Sequence, residues 1–398
     1  MTKVLITGMG IISAIGKDVS ANRASLQAGK TGIHKAQHLN SRYIEVFPFG
    51  EVPYSTADLQ EQLGIAEEKG MTRTDILATV AVQEAIQHAQ WTEKELQAWD
   101  TAFVSASTVG GMSMTHELYR DGKQEGEPSD YLSSYICGAH TLKLMKRLGM
   151  HGISSTFNTA CSSSANAIAF GVQLIQSGRA KRAIVGGADG LAAFTVNGFN
   201  ALRILAPEAA QSFDANRKGL TLGEGAAYLV LEAEEEVGDR TVFGVVSGYG
   251  NTNDAFHASS MSDEATGIIN AIQGALDTAE LTPQDIDYVN GHGTATLNND
   301  AAEMHGLQQV FGDIPPYHST KTYTGHTLAA AGSIEAVFTV LALHHGELYP
   351  SLNFETAVEG HENTPPITTY QPNTELKHAL SNSFGFGGNC STLIFSKV

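Results

Sequence analysis

The sequence predicts an α/β protein that contains two copies of one structural unit. Strand-like apolar segments alternate with helical patterns along the 398 residues, which is typical of layered α/β folds. The stretches 76–108 and 268–296 also resemble each other. In each, a helical pattern leads to an aspartate, Asp100 or Asp287, and then to a short strand. Each half then reaches a second helix that begins at a turn of small residues. We therefore expect two duplicated halves, residues 1–240 and 241–398.

Buried strands and amphipathic helices are predicted in alternation along the chain. The predicted strands are Val4–Thr7, Thr101–Ser105, Ile153–Phe157, Ala183–Gly186, Tyr228–Leu231, Val242–Ser247, Tyr288–Asn290 and Leu380–Ser383. Between them, apolar residues recur at three- and four-residue steps over 76–85, 165–175 and 268–276, which predicts helices with one buried face. A glycine-rich loop, Gly385–Gly388, lies between two strands near the end of the chain.

The bulk composition excludes several classes of protein. Hydrophobic residues make up 42% and charged residues 17%, so a sizeable core is expected. A formal net charge of −18 disfavours nucleic acid or an anionic membrane as a partner. No apolar stretch is expected to reach membrane-spanning length and no cleavable signal is visible, so we predict a cytoplasmic protein. Three cysteines without CxxC spacing favour neither a disulfide framework nor a zinc site.

Cys161 is the first candidate nucleophile. It stands in a run of small residues between a strand-like segment and an apolar helical pattern, which predicts a strand-to-helix turn. Free N–H groups at the start of a helix favour a thiolate and can also bind an oxyanion. A lone intracellular cysteine is, however, more often a small buried apolar residue. The cysteine alone therefore does not decide between catalysis and packing.

Two histidines are candidates for the same site. His292 lies between two glycines after a short strand, and His326 begins a helix of small residues, where the positive helix end favours a neutral imidazole. A neutral imidazole can donate a hydrogen bond to a carbonyl or an enolate. Two duplicated halves that face each other would bring Cys161 and His326 together. Structural histidines and a zinc set are the alternatives, but the spacing does not support a metal site, and none is predicted.

Four motifs together resemble those of the elongating β-ketoacyl-acyl carrier protein synthases of the thiolase superfamily, and the resemblance spans the whole chain. They are Thr159-Ala-Cys-Ser162, Gly291-His-Gly-Thr294, Lys321 to His326 and Gly385-Phe-Gly-Gly388. The resemblance implies two βαβαβαββ halves in five layers, α-β-α-β-α. It also implies an acyltransferase that condenses an acyl thioester with malonyl-acyl carrier protein, with loss of carbon dioxide, to give 3-oxoacyl-acyl carrier protein. Such enzymes serve fatty-acid or specialised polyene and polyketide chain elongation.

The resemblance also implies a role for each catalytic residue. Cys161 would carry the acyl group, and the backbone N–H groups of Cys161 and Phe386 would form its oxyanion hole. His292 and His326 would bind the malonyl carbonyl and stabilise the enolate that decarboxylation leaves. Lys321 and Glu303 match a lysine and a glutamate that pair to order this site.

Further residues match positions that bind the rest of the substrates. The matches are Thr294 and Thr296 for the phosphopantetheine arm, Phe386 for the gate, Val109 and Tyr131 (the latter from the dimer partner) for the acyl pocket, Lys69, Arg73 and Arg203 for carrier-protein docking, and Glu335 for the surroundings of a monovalent-cation site. No organic cofactor is implied, because the carrier protein brings the phosphopantetheine arm. The implied partners are the acyl carrier protein and a second copy of the chain.

Three departures from the family pattern leave the pathway open. Leu297 replaces a usual proline, Asn389-Cys390 replaces Thr-Asn, and Arg217-Lys-Gly-Leu220 replaces Arg-Asp-Gly-Phe. A synthase for a specialised acyl or polyene chain is therefore an alternative to housekeeping elongation. The chain is alternatively the catalytic subunit of a heterodimer with a chain-length factor. A biosynthetic thiolase is a third interpretation, and Cys390 is the feature that supports it, because thiolases use two cysteines. The sequence does not set the acyl chain length.

Overall fold

Ten strands form one mixed sheet in the computed structural model, which describes residues 2–66, 68–124, 126 and 128–398. The strands are β1 (Val4–Ser13), β2 (Thr101–Ala106), β3 (Ser154–Phe157), β4 (Arg182–Asp189), β5 (Gly225–Ala233), β6 (Gly244–Asn253), β7 (Tyr288–Asn290), β8 (Tyr317–His318), β9 (His378–Gly385) and β10 (Asn389–Ser396). Their order is β3-β2-β4-β5-β1-β6-β10-β9-β7-β8. Read outward from β1 and from β6, the two halves give equivalent strands in the same order.

Twelve α-helices connect these strands in the part of the chain that the structure describes. They are α1 (Val19–Gln27), α2 (Thr56–Gln62), α3 (Arg73–Ala89), α4 (Glu93–Leu96), α5 (Thr115–Asp121), α6 (Ala139–Leu148), α7 (Ser163–Gln176), α8 (Ala193–Ala201), α9 (Thr266–Ala279), α10 (Leu297–Phe311), α11 (Lys321–Thr324) and α12 (Ala331–His345). Capping boxes set the starts of several of them. At α3, for example, the Thr72 side chain accepts from the Asp75 N–H while the Asp75 carboxylate accepts from the Thr72 N–H.

Each half of the chain runs β-α-β-α-β-α-β-β, as predicted. The first half uses β1, α3, β2, α6, β3, α7, β4 and β5, and the second uses β6, α9, β7, α10, β8, α12, β9 and β10. Helix α3 packs on the outside of the first half of the sheet, and α9 packs on the outside of the second. Helices α7 and α12 contact each other and lie against strands of the sheet, which completes the five predicted layers. The division at residues 240 and 241 falls between β5 and β6 and stays a prediction.

The two halves repeat the same close contact between a strand and its outer helix. A Cβ atom added to Gly10 of β1 would lie 2.0 Å from the Ala81 carbonyl oxygen, and one added to Gly250 of β6 would lie 2.0 Å from the Ala271 carbonyl oxygen. Only glycine permits such an approach, since these distances are far below van der Waals contact. The duplication is therefore visible in atomic contacts as well as in strand order.

The central helix α12 is unusually apolar. The stretch Leu328–His345, which includes α12, is 18 residues long and, by length and composition alone, could cross a membrane. The sequence prediction that no stretch reaches this length is therefore wrong. In the structure 89% of this stretch is buried inside the protein, because α12 lies between the two halves of the sheet. A helix buried on all sides needs apolar residues all round, so its composition follows from its place in the core.

Candidate active site

Cys161, His292 and His326 converge at the centre of the duplicated fold. Cys161 lies two residues before α7, and His326 lies two residues before the helical stretch that begins at Leu328. His292 follows β7. One sulfur or nitrogen atom of each side chain lies within 4.8 Å of those of the other two, and all three residues are buried. The structure thus brings together the three residues that the sequence predicts to act as one site.

A strained turn presents Cys161 to the site. Ala160 has a φ of +53°, a left-handed conformation that is uncommon for a residue other than glycine. Gly385, at the end of β9, lies so close to the turn that an added Cβ would be 2.9 Å from the Cys161 nitrogen. The backbone N–H groups of Phe386 and of Cys161 both act to lower the pKa of the thiol, as donors directed at the sulfur do. Two such donors beside the sulfur would suit a thioester oxyanion.

Burial controls the protonation of Cys161. It raises the pKa of the thiol to about 11, although the Lys321 ammonium and the two N–H groups act in the opposite direction. The N–H groups at the helix start favour the thiolate, as predicted, but burial outweighs them in the protein without substrate. Cys161 is a neutral thiol at pH 7.

Lys321 fixes the tautomer of His292. The Lys321 ammonium lies 3.1 Å from Nδ1 of His292, and it also donates to the His292 carbonyl oxygen at 2.7 Å and to Glu335. An ammonium group has no lone pair, so Nδ1 must be the acceptor and Nε2 must carry the proton. Burial, and then the Lys321 charge, lower the pKa of His292 well below its usual range. His292 is therefore a neutral hydrogen-bond donor.

His326 is held in the same tautomer by the backbone. The Leu328 N–H donates to Nδ1 of His326 at 3.2 Å, so Nε2 carries the proton. Burial and the Lys321 charge lower the pKa of His326 well below its usual range. The two rings lie nearly perpendicular, at 89°, with centroids 5.4 Å apart. Together they offer two N–H donors to one substrate oxygen.

These tautomers bear on metal binding. The three side chains are close enough to hold a metal ion. A histidine ligand, however, gives the metal a lone pair and usually donates its other ring N–H to an acceptor. Nδ1 of His292 and of His326 instead face a donor, so Nε2 of each ring carries a proton and has no lone pair. The hydrogen bonding favours two donors over a metal centre, in line with the prediction of no metal, which stays a prediction.

The lysine and glutamate of the site are not paired as predicted. Lys321 pairs with Glu335, so the predicted Lys321–Glu303 pair is wrong. Glu303 instead accepts from the backbone N–H groups of His292 and Gly293, both at 2.8 Å, and from the Asn382 side chain at 3.1 Å. Burial raises the pKa of Glu303 and of Glu335 to about 7, while these amides and Lys321, respectively, oppose the shift. Glu303 therefore holds the His292 backbone and Glu335 holds Lys321.

A cavity of about 330 Å³ opens in front of Cys161. Among the residues that line it are Cys161, Phe199, Arg203, Arg217, His292, Thr294, Thr296, His326 and Phe386. The Thr294 and Thr296 hydroxyls lie 2.9 Å apart, and the Phe386 ring stacks on Phe199 with centroids 5.8 Å apart. The predicted pantetheine and gate residues thus share one channel with the catalytic residues.

The other predicted positions lie farther from this channel. Val109 is buried in an apolar cluster with Phe199, and Tyr131 is not among the described residues that line the cavity. Lys69 is exposed and forms an ion pair with Asp130 at 3.7 Å.

Arg73 is poorly placed to dock a carrier protein, contrary to the prediction. Its guanidinium is largely buried and donates to both carboxylate oxygens of Glu224, to Thr56 and to the carbonyl oxygens of Val52 and Tyr54. Among the described residues, only the second N–H of Nη1 has no partner, so nearly all of its donors are already used.

Sequence reasoning missed the support beneath the pantetheine threonines. The Arg217 guanidinium donates to the Leu297 carbonyl oxygen at 2.8 Å and to the Thr296 carbonyl oxygen at 3.3 Å. Its third bond, at 2.8 Å, goes to the Asp214 carbonyl oxygen. Arg217 thus fixes the turn that carries both threonines. The signal was present, since Arg217 precedes a departure from the family pattern, but the sequence does not show which backbone it reaches.

Cys390 does not reach the catalytic cavity. Its thiol lies 4.0 Å from the Met261 sulfur and 3.5 Å from the Gly388 carbonyl oxygen, and Cys390 is not among the described residues that line the cavity. A thiolase needs its second cysteine beside the first. The feature that supported that alternative is therefore a buried packing residue.

Comparisons with known proteins agree with this geometry. Residues 1–237 match the family model described as the beta-ketoacyl synthase N-terminal domain, and residues 243–355 match the C-terminal domain of the same family. The chain is 30% identical to the 3-oxoacyl-[acyl-carrier-protein] synthase 2 of Staphylococcus aureus (strain COL), over 99% of this chain and 98% of the relative. Among solved structures, it resembles the ishigamide ketosynthase/chain length factor, with a TM-score of 0.92, 27% identity and coverage of 100% and 99%. It also resembles a ketosynthase (ApeO) in complex with its chain length factor (ApeC) from Xenorhabdus doucetiae, with a TM-score of 0.85, 29% identity and coverage of 100% and 98%.

Proposed function

The chain belongs to the β-ketoacyl synthase family, and we propose that Cys161, His292 and His326 carry out its decarboxylative condensation. The observation that carries this assignment is the pair of Nε2–H donors, which face the same space as the Cys161 thiol. Two neutral donors suit an enolate oxygen, because they stabilise negative charge without protonating the carbon.

The first step loads the acyl group onto the enzyme. The Cys161 sulfur attacks the carbonyl carbon of the acyl-carrier thioester, whose oxygen binds the N–H groups of Cys161 and Phe386. The carbon–sulfur bond to the pantetheine breaks, and the proton of the Cys161 thiol passes to the departing pantetheine sulfur. The products are acyl-Cys161 and the free carrier thiol.

The second step forms the new carbon–carbon bond. Malonyl-carrier protein loses carbon dioxide, and the enolate oxygen binds Nε2–H of His292 and of His326. The enolate carbon attacks the acyl-Cys161 carbonyl, the tetrahedral intermediate collapses, and the Cys161 thiolate leaves and takes a proton from solvent. The carrier then holds the 3-oxoacyl chain, and the chain's own residues have supplied only donors and a nucleophile.

The acyl carrier protein is the proposed partner at the mouth of the channel. The Staphylococcus aureus relative is named for this carrier. Arg203 lines the mouth and is exposed, and Lys69 is exposed as well, so both remain available for an acidic partner. The carrier brings the phosphopantetheine arm to Thr294 and Thr296. We place this reaction in the cytoplasm.

A second thiolase-like chain is proposed to pair with the edge strand β3. Within the described residues, β3 is bonded only to β2, so its other edge faces solvent. Exposed apolar side chains lie next to it in the chain or in the helix that contacts it: Ile153 directly precedes β3, Leu142 lies on α6, which contacts β3, and Leu132, Tyr135 and Ile136 precede α6. The partner is either a copy of this chain or, as in the ishigamide and Xenorhabdus structures, a chain-length factor. Because the chain carries Cys161, we assign it the catalytic role in either dimer.

The buried oxygens near Glu335 fit a monovalent cation. Among the described residues, the second Glu335 oxygen, the Asn290 side-chain oxygen and the Ser381 hydroxyl have no hydrogen-bond partner. Asn290 and Ser381 face each other across β7 and β9, and the Asn290 amide donates to the Glu335 carbonyl oxygen. Hard cations prefer oxygen ligands of this kind. A bound cation would supply positive charge that keeps Glu335 ionised beside Lys321.

Loss of the nucleophile tests the proposed function. Purified protein is incubated with acyl- and malonyl-carrier protein, and the 3-oxoacyl product is followed by intact mass. We expect Cys161→Ala to form neither acyl-enzyme nor product while it still decarboxylates malonyl-carrier protein. Cys390→Ala is the matched control, since it removes another buried thiol, and should keep all three activities. Condensation that persists in Cys161→Ala contradicts the proposal, and a requirement for Cys390 with coenzyme A thioesters would point to a thiolase.

The dimer has its own test. The mass of the purified chain in solution distinguishes a pair of copies from a monomer that becomes active only with a chain-length factor. Ile136→Asp with Leu142→Asp should abolish either pairing, because charges would be buried in the apolar contact. Val46→Asp, at an exposed apolar residue elsewhere, is the control. Pairing that survives the double substitution contradicts the β3 assignment.

A further inference from the structure

The Asp189 carboxylate accepts hydrogen bonds from several residues, although the end of a β-strand does not by itself require any side-chain hydrogen bond. It is the last residue of β4 and is fully buried. One carboxylate oxygen accepts from the Ser107 hydroxyl at 2.6 Å. The other accepts from the Thr108 N–H at 3.0 Å, the Thr108 hydroxyl at 2.6 Å and the Ala329 N–H at 3.0 Å. A buried carboxylate is stable only with such a set of donors.

These donors belong to two segments from different halves of the chain. Ser107 and Thr108 follow β2 and lead directly into Val109. Ala329 lies three residues after His326, in the segment that ends in α12. Asp189 is therefore a direct link between the segment that leads into Val109, a predicted acyl-pocket residue, and the segment that carries His326.

The backbone of His326 itself is paired with the segment 221–223. The His326 N–H donates to the Thr221 carbonyl oxygen at 2.7 Å, the His326 carbonyl oxygen accepts from the Gly223 N–H at 2.9 Å, and the Leu328 N–H donates to the His326 ring. Leu328 has a φ of +56°, so the backbone is strained between the histidine and Ala329. The bond from Ala329 to Asp189 is the next fixed point along the chain, and it holds this conformation in place.

The duplication gives Asp189 an equivalent position in the other half. Asp189 ends β4, and Gly385 ends β9, the equivalent strand. Gly385 packs against the Cys161 turn at the start of α7, whereas Asp189 bonds to the segment at the start of α12. Each strand end thus supports the reactive residue of the opposite half. By this symmetry Asp189 supports the site, although it lines no part of the described catalytic cavity.

We propose that Asp189 is a positioning residue that holds His326 and the Thr108–Val109 segment in one arrangement, so that it supports both enolate stabilisation and the choice of acyl chain. The inference rests on the proposed function. Asp189 touches neither substrate, and its effect passes through the Ala329 and Thr108 backbone. A displacement of about 1 Å at a catalytic donor lowers the rate by about 100-fold.

Asp189→Ala tests this by separating the two partial reactions. Decarboxylation of malonyl-carrier protein needs His326, while acylation of Cys161 does not. We expect decarboxylation per folded molecule to fall about 100-fold and acylation by the preferred acyl chain to fall less than tenfold. The preference across a series of acyl-carrier proteins should also flatten. Asp189→Asn should recover most of the decarboxylation, because its carbonyl oxygen can still accept from Ala329 and Thr108 while its amide donates to Ser107.

Glu232→Ala is the matched control. Glu232 is also fully buried, and it accepts from the Thr7 hydroxyl at 2.6 Å and from the Arg182 and Arg240 guanidinium groups at 3.2 Å. None of these residues lines the cavity in the described chain. Glu232→Ala should lower the melting temperature while the ratio of the two partial reactions stays unchanged. A general loss of stability and a loss of positioning are thereby distinguished.

The outcomes distinguish a failure of the proposed function from a failure of the positioning role of Asp189. If the wild-type chain does not decarboxylate malonyl-carrier protein, the proposed function is wrong. If it does, and Asp189→Ala keeps the wild-type ratio and chain-length profile, the positioning role of Asp189 is wrong. Where Asp189→Ala does not fold, the ratio is read in Asp189→Asn, which should shift in the same direction by about threefold. An unchanged ratio in that variant overturns the proposal.

Discussion

The Lys321 ammonium lies 3.1 Å from Nδ1 of His292 and thereby decides which ring nitrogen of His292 carries its proton. The cation is itself held by Glu335, which is equally buried. Because of this contact, His292 is a hydrogen-bond donor at Nε2 only as long as Lys321 is present. The tautomer of the His292 ring therefore does not depend on the pH of the solution.

Lys321→Met should remove this control of the tautomer. The neutral His292 can then carry its proton on Nδ1 and direct a lone pair at the enolate oxygen, so decarboxylation should fall about 100- to 1000-fold. Acylation of Cys161 should fall much less. The two rates are measured separately by carbon dioxide release and by intact mass.

Lys143→Met is the control for that substitution. Lys143 is partly buried and, like Lys321, pairs with a buried carboxylate, that of Asp75, at 2.7 Å. Neither Lys143 nor Asp75 lines the catalytic cavity. Both variants should lose stability, because each leaves a buried carboxylate without its partner. Equal loss of both partial reactions in Lys321→Met would show that the lysine acts on folding alone.

Alkylation of Cys161 should report its raised pKa. Because the thiolate is the reactive form and the pKa is about 11, the thiolate fraction increases as the pH rises. Alkylation by iodoacetamide should therefore increase about tenfold per pH unit between pH 7 and pH 9 without levelling off. The rate is read by peptide mass spectrometry for Cys161 alone. A plateau near pH 7 would mean that the thiolate is already formed, contrary to the effect of burial.

The double variant Thr294→Val and Thr296→Val should weaken carrier binding. Each lost hydrogen bond is worth about 0.5–1.5 kcal/mol, so KM for malonyl-carrier protein should rise about tenfold while kcat changes little. Thr278→Val is the control, since Thr278 is an exposed threonine on α9. A fall in kcat at unchanged KM would assign the two hydroxyls to the chemical step instead of to binding.

Gly250→Ala should disrupt the fold, and Gly274→Ala should not. The added methyl group at Gly250 meets the Ala271 carbonyl oxygen at 2.0 Å, so we expect a loss of about 3 kcal/mol or more in the free energy of unfolding. Gly274 faces the same strand from α9, but its added Cβ would lie 3.6 Å from the Gly250 Cα, an ordinary contact. Because alanine favours a helix, Gly274→Ala should stabilise the protein by about 0.5–1 kcal/mol. Denaturant unfolding of the two variants checks both signs.

The duplication and the convergence of Cys161, His292 and His326 were predictable because local sequence patterns encode them. The repeat fixes where Cys161 and His326 lie, and the glycines around His292 mark a tight approach. Most strands of ordinary length were predicted in place, but β1 and β6 each end six residues later than predicted and no bounds were given for β10. β8 has only two residues, and its pairing with β7 is not encoded in any periodicity. Predicting β8 would have required the tertiary structure.

The pairing of charges was not predictable for a different reason. Glu303 and Glu335 both lie on helices that face the site, and the sequence does not show which carboxylate reaches Lys321. In the sequence, Arg73 likewise resembles an ordinary surface cation. Only the fold shows that it pairs with Glu224. The pKa of Cys161 depends on the whole buried environment, which outweighs the local helix start. Such properties arise from contacts between residues far apart in the sequence.

The two central helices begin at equivalent places and carry different reactive groups, Cys161 before α7 and His326 before α12. A perfectly symmetric repeat would present the same group twice and could not distinguish the electrophilic partner of a condensation from the nucleophilic one. Divergence at this pair of equivalent positions, together with His292 in the second half, gives the proposed reaction its direction: one copy of the unit stores the growing chain, and the other generates the carbon that extends it.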